Sequence, residues 1–350
     1  MDKRRVRLEL FYLVLLPVLA LSGVIAIGIG STEVSWRTIL GVAAQKLLPG
    51  GWVDTSGLTQ ADTVVVWLIR VPRVLVAAFV GAGLSAGGAV MQGLFRNPLA
   101  ESGLVGAGSG AALGSVIAFI AGWTAKSVVS LPVAAMIGAL MALVIVYAMA
   151  TRGGITPVAT LLLAGVAVTS LLTAVWSLLL SINIVNWQIA QEVLFWIMGG
   201  LDARSWTHVW LCAPFVTLGI VAAIVQAREL DLMQQGEETA AAFGVDVEHS
   251  KRMLILTASV LTGACVGVAG MVAFVGLVVP HAVRLLIGPS HRPLLPACSI
   301  AGAAFLILCD LAARTIHPPT EVRLGVITSL VGGPIFIALL MRRYREVGLA

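Results

Sequence analysis

The sequence predicts an all-α polytopic membrane protein with about ten transmembrane helices and both termini in the cytoplasm. Three observations lead there. Of the 350 residues, 59% are hydrophobic and only 11% charged, and the mean hydropathy is +1.01. A soluble domain carries about 25% charged residues and needs polar groups to clothe its surface, whereas lipid as solvent removes that need. Apolar runs near the ~20 residues that cross a bilayer recur along the whole chain. Finally, the basic residues fall at the ends of those runs and favour one side.

The runs lie at 9–30, 63–94, 102–122, 128–150, 157–180, 208–227, 253–272, 274–288, 294–313 and 324–341. The first follows Lys3, Arg4, Arg5 and Arg7. It is too long for a signal-peptide core and no A-x-A-like site follows it, so a retained first span is expected. The second is overlong, hence tilted or partly outside the hydrocarbon, and the eighth is short. Trp187 to Met198 reads as an amphipathic piece that need not span. No composition break divides the chain, so 1–350 is expected to be one transmembrane domain, with a cytoplasmic segment at about 228–252.

With the N-terminus inside, Arg37, Lys46, Arg70, Arg73, Lys126, Arg204, Arg314 and Arg323 fall outside and the other fourteen of the 22 basic residues inside. That agrees with the positive-inside rule. It also accounts for the basic pI without nucleic acid. All nine tryptophans, Trp52 and Trp176 among them, fall near the outer span ends, as an interfacial belt would. Cys212, Cys265, Cys298 and Cys309 stand in apolar runs and read as buried small hydrophobes. Glycines at four-residue spacing (Gly106, Gly110 and Gly114; Gly263 and Gly267 with Gly270 nearby; Gly83 and Gly87) predict close helix packing. The five histidines form no spaced pair on one face, and a scattered structural or interfacial role is expected of each.

Three stretches rise above hydropathy. In the first, Arg70 and Arg73 flank Val-Pro at the outer mouth of the second span, three residues apart on one helical face. There they can reach water and form a basic patch. At its other end Gln92 precedes an Arg96-Asn97-Pro98 turn, since proline removes a donor and asparagine favours turns. The second stretch, 228–252, reads as two short cytoplasmic helices around Gly236 and Gly244, an ordered platform for another protein. The third, GLVVPH at 276–281 with Arg284, ends the short eighth span.

Together these segments resemble, over essentially the whole chain, the FecCD/BtuC-type permeases of ABC importers for iron-siderophores, heme or cobalamin. The resemblance implies a homodimer with its pathway on the two-fold axis, two ATP-binding cassette subunits and a periplasmic substrate-binding protein, in a bacterial inner membrane. It implies that Gly236, Glu237, Glu238, Ala240, Phe243 and Gly244 couple to the ATPase, with Phe243 where the family usually has leucine. It also implies that Arg70, Arg73 and Arg314 dock acidic residues of the binding protein. This chain is expected to bind no cofactor or metal and to do no chemistry. No G-x-x-x-x-G-K-[ST] loop occurs, so ATP and Mg belong on the partner. FRNPLAESGLVG at 95–106 and FWIMGGL at 195–201 look like the heme permeases, which makes heme the expected cargo, with ferric siderophores or cobalamin as alternatives.

Two rival classes fit less well. An intramembrane enzyme would need H-E-x-x-H, a facing pair of intramembrane aspartates or a nucleophile elbow; neither of the first two occurs and no G-x-S-x-G surrounds Ser109. An ion-coupled secondary transporter would place ionisable groups at mid-membrane, whereas Glu9 and Asp310 stand near span ends. It would also leave the 228–252 platform without a role.

Overall fold

The computed structural model describes residues 3–30, 34–47, 57–183 and 187–346, which form helices joined by turns and loops, with no strand among them. Sixteen α-helices follow in order. They are α1 Lys3–Gly28, α2 Trp36–Leu47, α3 Gln60–Thr63, α4 Val71–Leu94, α5 Ala107–Ile120, α6 Trp123–Lys126, α7 Ser130–Ala150 and α8 Val158–Ile182. The second half contains α9 Trp187–Ile197, α10 Trp206–Val225, α11 Ala227–Gln234, α12 Glu237–Ala242, α13 Val247–Ala269, α14 Val275–Ile287, α15 His291–Thr315 and α16 Leu324–Glu346. Among the described residues, seven continuous helical stretches are long and apolar enough to cross a membrane, and Ala107–Ile120, Val275–Ile287 and Leu324–Leu339 are shorter apolar helices. The ten match the ten expected runs. Helix α2 was not anticipated, and Trp52 lies outside the described residues.

Helix α4 is the axis of the bundle, packed by α10, α13, α14 and α15. Small residues make this possible. A Cβ on Gly81 would collide with the Gly302 carbonyl of α15, and one on Gly88 with the Gly276 carbonyl of α14. Without a hydrophobic driving force in lipid, such backbone contact is what holds helices together. Gly110 and Gly114 meet Gly138 and Ala134 of α7 in the same way. Gly106, expected in that stripe, has another role: its φ of 80° turns the chain into α5.

Two irregularities position the functional residues. Val64–Arg70 winds as a π-helix directly into α4. Pro72 cannot donate to the carbonyl one turn back and its ring crowds that turn; the wider turn relieves this, and the Val71 amide bonds to Val66 O. At the other break, Gly270 (φ 71°) and Phe274 (φ 68°) end α13 and start α14. The left-handed glycine stops the helix at 269, slightly before the expected boundary.

Candidate functional site

The bundle has two polar ends. The inner end is defined here by the N-terminus and α11–α12, the outer end by the C-terminus of α1 and the 316–323 segment.

At the inner end the 228–252 segment folds as expected into short helices, α11 and α12, separated by Gly236 at φ 133° and closed by Gly244 at φ 81°. Two buried clamps fix them to the spans. Lys251, 1% exposed in the first turns of α13, donates to Glu237 Oε2 at 2.7 Å, Glu248 Oε1 at 2.9 Å and the Thr156 carbonyl at 3.0 Å. Glu248 in turn accepts from the Thr156 amide. The first residue of α12, the turn before α8 and the start of α13 thus share one ammonium. The sequence reading counted Lys251 as a loop charge. It is buried because three acceptors converge on it.

The second clamp joins α11 to α15. Asp231 Oδ1 accepts from the His291 amide at 2.8 Å and pairs with its Nδ1 at 2.6 Å, while Oδ2 accepts from Ser290 Oγ at 3.1 Å. Burial raises the Asp231 carboxyl, but the bonds from His291 and Ser290 outweigh it and hold it below the ordinary carboxylate range. Between the clamps Ala240 is fully buried, and Phe243 stands 65% exposed at the tip.

The Gln92–Pro98 motif faces this platform. Gln92 Nε2 donates to Leu277 O at 3.0 Å, tying α4 to α14. Asn97 Oδ1 accepts from the Leu99 amide at 2.9 Å, closing the turn, and Arg96 adopts φ 49°. A cleft of about 720 Å³ opens here, lined by Gln92, Arg96, Asn97, Gln234, His281 and Arg284 against Leu285, Leu286 and Leu339. All three sequence stretches therefore meet at the inner end. A second cleft of about 680 Å³ separates the Arg96 turn from Gly236–Thr239.

At the outer end the arginines do not form the expected basic patch. Arg70, Arg73 and Arg314 are 4%, 8% and 8% exposed. Arg70 Nη1 donates to Ile27 O and Gly28 O, both at 2.8 Å, and Arg314 to Ala26 O at 2.7 Å and Ile29 O at 3.1 Å. The last carbonyls of α1 have no partner in their own helix, and cations at a helix C-terminus also suit its dipole. Arg73 is bidentate to Asp310 and to Glu321, 2.9 and 2.7 Å at the shortest. Arg314 also pairs with Asp310 at 3.3 Å, and Asp202 bonds Arg323. Burial raises the Glu321 carboxyl, but Arg73 and Asp202 outweigh it and bring it down to about 2. Burial and the neighbouring Glu321 raise Asp202. These acids were missed as partners. Only Asp310 had a local signal, its i,i+4 spacing from Arg314.

The FecCD transport family matches residues 18–342. The cobalamin import system permease protein BtuC of Halobacterium salinarum is 47% identical over 293 residues, 83% of this chain and 76% of that protein. The hemin transport system permease protein HmuU of Yersinia pestis is 36% identical over 339 residues, 96% of each. A solved metal-chelate type ABC transporter in an inward-facing conformation superposes with a TM-score of 0.83 at 27% identity, covering 95% of this chain and 99% of that one. A chain of PsaBC from Streptococcus pneumoniae, at 18% identity and a TM-score of 0.56, shares the fold. The match runs through both polar ends and every span between them: the chain belongs to the FecCD transport family and is a multi-pass permease, a transport subunit.

Proposed function

We propose that the chain is the transmembrane subunit of a bacterial inner-membrane ABC importer that moves a metal chelate from periplasm to cytoplasm. The observation that carries this is the platform itself: α11 and α12, with exposed Phe243, are fixed to α8, α13 and α15 through Lys251 and Asp231. A surface tied this firmly to spanning helices is suited to receiving force from outside the bundle. Gly236, Glu237, Glu238, Ala240, Phe243 and Gly244 are assigned to the ATPase contact, and ATP and Mg to that partner. At the outer end the binding protein would meet the Arg73–Glu321–Asp202 cluster. In this reading Arg70 and Arg314 set the position of α1 behind the docking surface rather than meeting the partner directly. The exposed apolar side of α8, including Leu163, Leu171 and Leu178, supports assembly as a homodimer.

Heme is the cargo favoured by the 95–106 and 195–201 stretches and by the likeness to a hemin permease across 96% of both chains. A second reading, cobalamin, is favoured by the 47% identity to a cobalamin permease. The test is ATP-driven uptake in proteoliposomes holding this chain, its ATPase and its binding protein, with heme, cobalamin and a ferric siderophore in competition. Heme uptake needing all three proteins supports the first reading. Uptake of a competitor moves only the cargo. Uptake without the ATPase defeats the importer.

A further inference from the structure

The inner cleft is chemically one-sided. Arg96, Arg284 and His281 line it, and among its described lining residues there is no carboxylate. Arg284 stands in the last turn of α14, and its shielded Nε and Nη2 have no hydrogen-bond partner among the described residues. The acid whose field reaches it, Asp231, already spends both oxygens on His291 and Ser290. A guanidinium nitrogen without an acceptor is costly near lipid, so an acceptor that arrives from outside the chain stabilises this arrangement. Leu285, Leu286 and Leu339 give the same cleft an apolar part of its lining. Volume, apolar lining and a few convergent polar groups are the attributes of a small-molecule site.

We propose that this cleft is an exit subsite for an amphipathic, carboxylate-bearing chelate. The leucines receive its apolar skeleton, while Arg284, together with Arg96, takes its acidic groups. Guanidinium forks match carboxylates bidentately, which makes the subsite selective for anionic over neutral forms of one chelate. The inference rests on the chelate-permease reading above.

The test compares iron protoporphyrin IX, with two free carboxylates, and its dimethyl ester in proteoliposomes of the complete importer. Arg284→Gln is expected to lower free-acid uptake roughly tenfold, the loss of one charge-assisted hydrogen bond, and to leave ester uptake nearly unchanged. Arg284→Lys should fall between. Equal losses for both probes, or no loss, overturn the subsite, and loss of ATPase co-purification would assign Arg284 to the partner protein instead. A second readout is independent of transport. The four native cysteines are buried, so in the complete complex a maleimide should report on Leu286→Cys. The free acid should slow labelling, the ester should not, and Arg284→Gln should abolish the protection. Uptake without protection removes the subsite and keeps the importer; protection without uptake does the reverse.

Discussion

Lys251 Nζ lies 2.7 Å from Glu237 Oε2, although the lysine belongs to a spanning helix and the glutamate opens the short helix α12. Replacing the lysine by methionine keeps its volume and strands two carboxylates. Breaking a buried pair costs about 3–5 kcal/mol, and less is expected here because the Glu237 side chain is 38% exposed. Lys251→Met should therefore assemble but uncouple, with uptake per ATP hydrolysed falling roughly tenfold in proteoliposomes. The swap Lys251→Glu with Glu237→Lys should recover part of it. Unchanged stoichiometry would take this pair out of the coupling path.

The Asp231 clamp gives a pH prediction. Its carboxyl sits below the ordinary value near 3.9, so its contribution is complete above that value and is lost as pH falls through the lowered folded one. Thermal unfolding of the purified complex should be insensitive to this group from pH 8 to about 5 and should fall more steeply with acid than in Asp231→Asn. Parallel curves for the two proteins would contradict the assignment.

Glu321 shares the neutralisation of Arg73 at the outer face with the buried Asp310. Glu321→Gln removes one negative charge where an acidic partner is proposed to dock. Binding-protein association measured by stopped flow should then quicken several-fold at low salt and converge with the native rate at high salt. A rate equal to the native one at low salt would place this cluster away from the interface.

Packing offers a contrast within one residue type. Gly88→Val drives a side chain into the Gly276 carbonyl, whereas a Cβ on Gly108 meets nothing within 4 Å. Gly88→Val should lower the melting temperature sharply or prevent assembly, since overpacking costs about 1–3 kcal/mol or more against backbone. Gly108→Ala should be neutral or slightly stabilising. Detergent melting curves decide both.

The spans were legible because lipid imposes one simple rule on every residue, and the two platform helices because glycines punctuate an otherwise polar segment. The turn at Asn97 followed from its proline. What stayed hidden was pairing across long sequence distances. Nothing local in the sequence brings Arg73 to Glu321 or Lys251 to Thr156, and hydropathy treats a buried, paired cation and a loop cation alike. Helix α2 was missed for the opposite reason: it is too short and too mixed in character to register as a span. The expected basic patch at the outer mouth failed because the carbonyls at the end of α1 and the acids Asp310 and Glu321 reach those arginines before solvent does.

From Gln60 to Leu94 the chain runs as one unbroken helical stretch of 35 residues, about 50 Å at 1.5 Å per residue. It carries Arg73 just past its wide turn and Gln92 near its far end. Such a stretch acts as a strut: a tilt imposed at the outer end reappears at the inner cleft with little lost to bending. Its one compliant joint is the wide turn at Val64–Arg70. Deleting a single residue there would tighten the joint and rotate everything before it by about 100° relative to α4, giving a permease whose two mouths keep their residues but lose their mechanical phase.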